Sequence, residues 1–463
     1  MNRRQITTTL FAVTAVISIT VGSNVATAQT MSTPAARLVV SIAVDGLTTR
    51  QLEKYADIYV NGGFSRLLSR GAVYRNASHT FAPVDRVAAL AAIVTGTTPY
   101  YNGISGERQF DRVTLRPISS ITDSPESILS STVTDELKVS TGGKAIVYAV
   151  AEDKTAALIL GGHAADAALW IDAKGGWSLA RYSTVTDNRW ISAYNRVNST
   201  DALPYNYSRI TDIAAQCVAS AGMGIDNTPD ILSVTYTVTD SEEAYSNLDR
   251  ALADLISRVE TTVGEGRVLF IVTGTGCDDE AVADYQTYNI PTGTFYINRA
   301  QNLLNMFLSA TYGQGRYVEA CFDNQLFINT KLVEQRKISD DELMKRAKDF
   351  LLDLSGVRNV YTANDIKANN CPDERVCNAF SPNAGGDLII EIAPGWTLLN
   401  EDTGEQRMQR ASTVPFPIII MGEGIEAQRT NEHVTVDRIA PTIADCIHIR
   451  APNACRASSM WIK

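Results

Sequence analysis

The chain has 463 residues, a formal net charge of −10 from 41 basic and 51 acidic side chains, four histidines and seven cysteines. That length accommodates one large domain with insertions, or two domains. A mixed-sign surface with an acidic balance offers no basic face to a nucleic-acid backbone, so nucleic acid is excluded as an expected partner.

Taken in chain order, the sequence opens Met1-Asn2-Arg3-Arg4, continues with an apolar run from Leu10 to Val21, and reaches Ala26-Thr27-Ala28. A basic start, a short apolar segment and an Ala-x-Ala site predict a secretory signal peptide over 1–28, cut after Ala28. The apolar run is too short and too rich in threonine to span a bilayer. The expectation is a periplasmic or exported protein with no transmembrane segment after cleavage. In that oxidising compartment Cys371 with Cys377, and Cys446 with Cys455, are candidate local disulfides, while Cys217, Cys277 and Cys321 are expected as buried thiols. A zinc site on Cys371 and Cys377 is the alternative, although no second close pair and no nearby histidine supports it.

Beyond the leader, short apolar runs alternate with segments of 3.6-residue period, the pattern of a mostly parallel sheet covered by helices. Leu38–Val44 is expected as a buried strand ending on Asp45-Gly46, with helices near 48–59 and 63–70. Asp85 is placed to cap an Ala-rich helix running to Val94. Segments 144–150, 157–160 and 167–171 are expected as short strands. Further strands are expected at 230–237 and 268–272, around a long helix from Ser241 to about Thr262. From Pro291 the order becomes helix, strand, strand, helix, strand, which suggests a compact α+β insertion. Within it, Ser339-Asp340-Asp341-Glu342 has the form of a capping box. Strands at 387–392 and 416–421 and a helix at 438–447 return the chain to the core. The expected organisation is a core over 29–290 and 384–463, interrupted by an insertion over 291–383.

Several phrases carry a family resemblance. Val39-Val40-Ser41-Ile42-Ala43-Val44-Asp45-Gly46 resembles the first strand and first metal-ligand aspartate of the alkaline phosphatase superfamily, in its phosphodiesterase-like branch that includes periplasmic alkaline phosphatases. Thr95-Gly96-Thr97-Thr98-Pro99 with Asn102-Gly103-Ile104 is similar to the branch's TGxxPxxHGI segment, with Asn102 in place of the histidine. Gly162-His163-Ala164-Ala165-Asp166-Ala167-Ala168-Leu169-Trp170, Thr239-Asp240, Ile439-Ala440-Pro441-Thr442 and Pro452-Asn453-Ala454-Cys455 continue the likeness in order. The resemblance implies an α/β fold, a three-layer α/β/α sandwich with a mostly parallel central sheet and a smaller α+β insertion.

The resemblance also implies a dinuclear zinc site, a hydroxyl nucleophile and an anion clamp, and the corresponding residues differ. The nucleophile position is Arg86, whose guanidinium has no nucleophilic oxygen, and Asp85 before it fits an N-cap. Asp45 and Asp240 keep two metal-ligand positions. The histidine expected four residues after Asp240 is Ala244, the paired Asp-His falls on Thr275 and Gly276, and the last histidine is missing from Thr403–Arg407. The phosphate-contact positions fall on Glu107 and on Glu152 and Lys154, where carboxylates would repel the substrate. On these residues dinuclear zinc is expected to be lost, leaving no cofactor.

Three functions are compatible with this pattern. The first is a catalytically inactive alkaline-phosphatase-like protein serving as a binding or scaffold subunit in the cell envelope, with an unidentified protein partner. In that case the aromatics Trp177, Tyr182, Trp190, Tyr194, Tyr205 and Tyr207 would form a docking surface. The second is a metal-dependent phosphomonoesterase or phosphodiesterase with a relocated active site, drawing on Asp45, Asp240 and the acidic run Asp278-Asp279-Glu280 around a hard cation. The third is a small-ligand binding protein whose pocket takes a cation or neutral sugar. His163 is expected to be structural, since no partner motif accompanies it.

Overall fold

A computed structural model describes residues 36–181, 189–198, 207–277, 285, 287, 289–410 and 413–460. The expected signal peptide lies outside the described residues. Strand β1 (Leu38–Asp45) is buried along its whole length. It alternates its side chains between two cores, with Val39 and Ala43 on one face and Val40, Ile42 and Val44 on the other. Helices α1 (Thr49–Lys54) and α2 (Phe64–Arg70) follow, then β2 (Ala72–Ser78). The expected helix over 48–59 stops at Lys54 and tightens into a 3-10 turn at Ala56–Ile58.

Helix α3 (Arg86–Thr95) begins at Asp85, whose carboxylate accepts from the Val87 amide at 2.8 Å. It ends where Gly96 turns left-handed at φ 63°. Next come α4 (Pro99–Asn102), the hairpin β3 (Arg108–Asp111) and β4 (Arg116–Ser119), and α5 (Val133–Ser140). The chain then forms β5 (Val147–Ala151), α6 (Lys154–Gly161), β6 (Ala167–Ile171) and β7 (Trp177–Leu179). Residues 157–160, expected as a strand, lie inside α6. The Asp153 carboxylate caps that helix by accepting from the Ala156 amide, and a short apolar run alone does not distinguish strand from buried helix.

Helices α7 (Arg189–Asn198) and α8 (Tyr207–Ala221) precede β8 (Asp230–Thr237), α9 (Glu242–Val263) and β9 (Val268–Gly274). The insertion contributes β10 (Gly293–Tyr296), α10 (Ile297–Tyr312), β11 (Val318–Phe322), β12 (Gln325–Ile328), α11 (Thr330–Gln335), α12 (Asp340–Leu352) and β13 (Val357–Thr362). Ser339 stands at the start of α12, but its side chain makes no cap bond, so the expected capping box does not form. Two short helices follow, α13 (Ala363–Lys367) and α14 (Glu374–Ala379). The last elements are β14 (Leu388–Ile392), β15 (Trp396–Leu399), β16 (Gln406–Met408), β17 (Phe416–Met421), β18 (Gln428–Thr435) and α15 (Ile439–Cys446).

Among the described residues the central sheet has nine strands in the order β18-β2-β17-β9-β1-β8-β5-β6-β7. Only β17 and β7 run against their neighbours. One face carries α3, α5, α6 and α15 through Leu90, Leu137, Leu158 and Ile443. The other carries α1, α2, α8 and α9 through Leu52, Leu67, Ile213 and Leu252. This is the expected three-layer α/β/α sandwich. The insertion has its own core under the antiparallel sheet β11-β12-β14-β13, beside a small sheet β10-β15-β16. Leu388–Ile392 therefore belongs to the insertion's sheet and not to the central one, so the insertion's strands pass beyond residue 383.

Two further expectations change. Cys371 and Cys377 form a disulfide, which also removes both sulfurs from any zinc site. Cys446 and Cys455 carry thiols instead of a bridge: the Cys455 Sγ turns to the Ala457 carbonyl at 3.5 Å and packs over Gly96. Trp177 and Tyr207, expected on a docking surface, are buried in the core, and Trp190 and Tyr194 pack against it. Tyr182 and Tyr205 lie outside the described residues.

Candidate functional site

Parallel strands put the ends of β1, β5, β8 and β9 on one edge of the sheet, the edge where open α/β folds bind ligands. Asp45 is the last residue of β1, and the start of α3 brings Arg86 against it. The Arg86 Nε donates to Asp45 Oδ2, and its Nη1 reaches Asp153 Oδ2 at 2.7 Å. Asp153 thus caps α6 with one oxygen and holds the guanidinium with the other. Glu152 stands beside them, accepting from the Thr237 hydroxyl at 3.3 Å.

The electrostatics follow from burial. Burial pushes the Asp45 carboxyl up, and the Arg86 charge pulls against that shift. Burial also raises Glu152, with Thr237 and Arg86 opposing it. Burial disfavours the Arg86 charge, but the Asp45 and Asp153 carboxylates outweigh it and hold the guanidinium firmly protonated. The Asp45 Oδ1 is buried without a well-formed hydrogen bond, although Thr275 lies close enough to favour the ionised carboxyl. The position of the expected nucleophile is therefore filled by a cation that neutralises the first retained aspartate.

Of the other resemblance-derived positions, Thr275 and Glu152 lie beside Asp45, and Asp240, Glu107 and Lys154 are engaged elsewhere. Asp240 is half-exposed and accepts from Lys54 Nζ and the Tyr55 hydroxyl, each at 2.8 Å. Thr275 follows β9 and offers its carbonyl to His79 Nε2 at 2.7 Å. At Gly276 (φ 72°) an added Cβ would meet Phe416 and the His79 ring. Glu107 is exposed, and its amide supports the Asp85 carboxylate. Lys154 pairs with Asp123. Asp278, Asp279 and Glu280 lie outside the described residues. Among the described residues, no group of three His, Cys, Asp or Glu side chains is arranged to hold a metal ion. His163 is structural as expected: its Nδ1 lies 2.7 Å from Asp135 Oδ2 and its Nε2 3.0 Å from the Ile128 carbonyl.

The open space lies to one side of this filled position. A cavity of about 400 Å³ is lined by Ser78, His79, Cys277, Arg375, Arg407 and Arg410, among others, and no carboxylate stands among its described lining residues. A neighbouring cavity of similar size reaches toward the insertion, and the same three arginines line it. Arg375 comes from α14, inside the loop closed by the Cys371–Cys377 disulfide. Its backbone carbonyl accepts from the Ala82 amide at 3.0 Å, which ties the loop to the segment leading into α3. The Arg375 side chain has no ion-pair partner among the described residues, whereas Arg407 is shared with Asp323 at 3.1 Å. His79 is buried between Phe81 and Phe416 at the cavity wall, and burial pushes its pKa down to about 4. These residues come from distant segments, and no spacing in the sequence joins them.

Comparison with known proteins matches residues 39–414 to the family described as type I phosphodiesterase / nucleotide pyrophosphatase. The alkaline phosphatase PafA of Elizabethkingia meningoseptica is 23% identical, over 92% of this chain and 94% of the relative. The alkaline phosphatase PhoV of Synechococcus elongatus is also 23% identical, over 92% of each. The crystal structure of wild-type PafA superimposes with a TM-score of 0.79 at 21% identity, covering 92% of this chain and 98% of that one. These findings overturn the expectation of a catalytically inactive scaffold or binding subunit. Relatives spanned almost end to end are named as phosphatases, and the matching family is one of phosphoric ester hydrolases.

Proposed function

Because the chain belongs to the type I phosphodiesterase / nucleotide pyrophosphatase family, we propose that it is a phosphoric ester hydrolase whose working site has moved from Asp45 into the adjacent arginine-lined cavity. The observation that carries this reading is the cavity lining itself, with Arg375, Arg407 and Arg410 and no carboxylate among the described lining residues. Guanidinium groups match phosphate oxygens in geometry and hold a fixed charge, so such a lining favours a phosphoester anion. At the end of β1 the balance is the reverse. There Asp45, Asp153 and Glu152 surround one guanidinium and would repel that anion.

The proposed enzyme works without dinuclear zinc. Arg86 occupies Asp45, Lys54 and Tyr55 occupy Asp240, and Thr275 and Gly276 supply no ligand of the expected kind. Export through residues 1–28 belongs to the same proposal. It is supported by the composition of that segment, and no helix among the described residues is long and apolar enough to cross a membrane.

The test uses the purified full chain with p-nitrophenyl phosphate and bis(p-nitrophenyl) phosphate. Assays run with EDTA and again with added zinc, magnesium or calcium. The expected result is nitrophenol release that survives chelation and is inhibited by inorganic phosphate. No release under any of these conditions overturns the hydrolase reading, and release that depends strictly on zinc overturns the metal-free site.

A further inference from the structure

Strand β17 runs antiparallel to both β9 and β2, so β2 points the same way as β9 and β1, and β18 is parallel to β2. The carboxyl ends of β2 and β18 therefore lie on the same sheet edge as Asp45, separated from β1 by β17 and β9. Ser78 is the last residue of β2. His433 lies near the end of β18, in register with Asn76, and so on the same face as Ser78 two residues along. The two side chains meet: Ser78 Oγ is 2.7 Å from His433 Nε2. Ser78 also lines the cavity that carries Arg375, Arg407 and Arg410.

We propose that Ser78 is the nucleophile of the relocated site and His433 its general base, acting on phosphoric esters held by the three arginines. The inference rests on the hydrolase reading above and supplies its reacting groups. A hydroxyl within hydrogen-bond reach of an imidazole is the arrangement that activates serine, because the ring takes the proton as the oxygen attacks. A second observation points to a ligand in the same cavity. The Thr275 carbonyl can only accept, so the neutral His79 carries its proton on Nε2. That leaves Nδ1 as a lone-pair acceptor, buried and without a partner. It offers a place for a hydroxyl of the substrate's alcohol portion.

The Ser78 Oγ–H proton passes to His433 Nε2 while the Oγ–P bond forms and the P–OR bond breaks. The departing alkoxide takes the proton from the His433 imidazolium and leaves as the alcohol. Water then attacks the phosphoserine, giving its proton to His433, and Ser78 Oγ recovers that proton as inorganic phosphate leaves. The arginines offset the charge on the phosphoryl oxygens in both steps.

The experiment treats the full chain with diisopropyl fluorophosphate, whose phosphorus accepts an activated serine oxygen with loss of fluoride. Tandem mass spectrometry is expected to find one adduct, on Ser78. Ser78→Ala should remove the adduct and lower p-nitrophenyl phosphate turnover at least about 10²-fold, and His433→Gln should slow labelling by about 10²-fold. Both positions lie at the surface of an edge strand pair, so thermal melting should match wild type and exclude unfolding as the cause. A label absent or placed elsewhere, or full ester turnover in Ser78→Ala, overturns the nucleophile. If Ser78 is labelled but no ester is turned over, the nucleophile stands and the hydrolase reading fails. If esters are turned over equally by wild type and Ser78→Ala, the hydrolase reading stands and only this inference fails.

Discussion

One edge of the central sheet carries two regions built from similar parts in opposite arrangements. At the end of β1, a single guanidinium is packed among Asp45, Asp153 and Glu152, and neither cavity takes Asp45 into its lining. Beyond β9 and β17, at the ends of β2 and β18, three arginines line a cavity with no carboxylate among its described lining residues, and the carboxylates near them line the neighbouring cavity toward the insertion. The contrast shows that the location of charge compensation decides which region can take an anion. An arginine satisfied by internal carboxylates, as Arg86 is, is a structural element, whereas Arg375, with no ion-pair partner among the described residues, keeps its charge for a ligand. The first region holds Asp45 with its charge already compensated; the second gathers its positive charge from residues that carry no family motif.

The largest expected effect separates the two regions directly. Removing the guanidinium with Arg86→Ala leaves the Asp45 carboxylate buried beside two further acids. Breaking a buried pair in this way costs about 3–5 kcal/mol. With Arg86 31% exposed, the lower end of that range is expected. Urea unfolding should show a reduced midpoint with an unchanged m value, and Asp45→Asn in the same background should recover part of the loss. Ester turnover by the folded fraction should stay within about twofold, since Arg86 does not line the cavity beside Ser78. A hundredfold fall in turnover would instead return the working site to β1.

The regions should also respond to pH with opposite signs. In the open region, burial lowers His79 to about 4 from an ordinary value of 6.5. Its neutral form therefore contributes stability that is complete above 6.5 and is lost as pH falls through that value toward 4. The loss between pH 7 and pH 4.5 is roughly 2–3 kcal/mol. In the closed region, burial raises Asp45 and Glu152, so their contribution is present at low pH and declines as pH rises through their folded values. His79→Gln, which can still donate to the Thr275 carbonyl, should flatten the acid limb of a stability-versus-pH curve measured by urea midpoints. An acid limb equally steep in that variant would show that His79 is not held neutral.

Legibility in the sequence differs between the same two regions. Leu38–Val44 announces itself as a buried parallel strand because both faces are apolar, and Asp45 and Arg86 are placed by the phrases around them. The Arg86–Asp45 pair was not legible, because a missing nucleophile and missing ligands reveal nothing about how the leftover charge is neutralised. Strand β18 was invisible for a different reason: Gln428–Thr435 is a mostly exposed edge strand without apolar alternation. Ser78, Arg375, Arg407 and His433 come from four separated segments, and only the folded chain brings them to one place. The Ala-rich run of α6 was ambiguous in itself, and the Cys446 and Cys455 thiols show that close spacing does not ensure a bridge.

The smallest expected effect concerns how firmly the open region presents its charge. The Cys371–Cys377 disulfide closes a loop of sequence separation 6 around α14, which carries Arg375. In the chain-entropy account a loop this short is stabilised by about 2 kcal/mol. Replacing both cysteines by serine should lower the urea midpoint accordingly. Asp373 would still cap α14, and the Ala82 amide would still reach the Arg375 carbonyl, so the helix should persist while its side chains lose order. Ordering a side chain such as Arg375 again on binding costs about 0.5–1.5 kcal/mol, so the inhibition constant for inorganic phosphate should rise by roughly 2–10-fold. Arg375→Met should raise it further without the loss of stability. If phosphate inhibition is unchanged in both variants, Arg375 does not contact the anion, and the binding charge must come from Arg407 and Arg410.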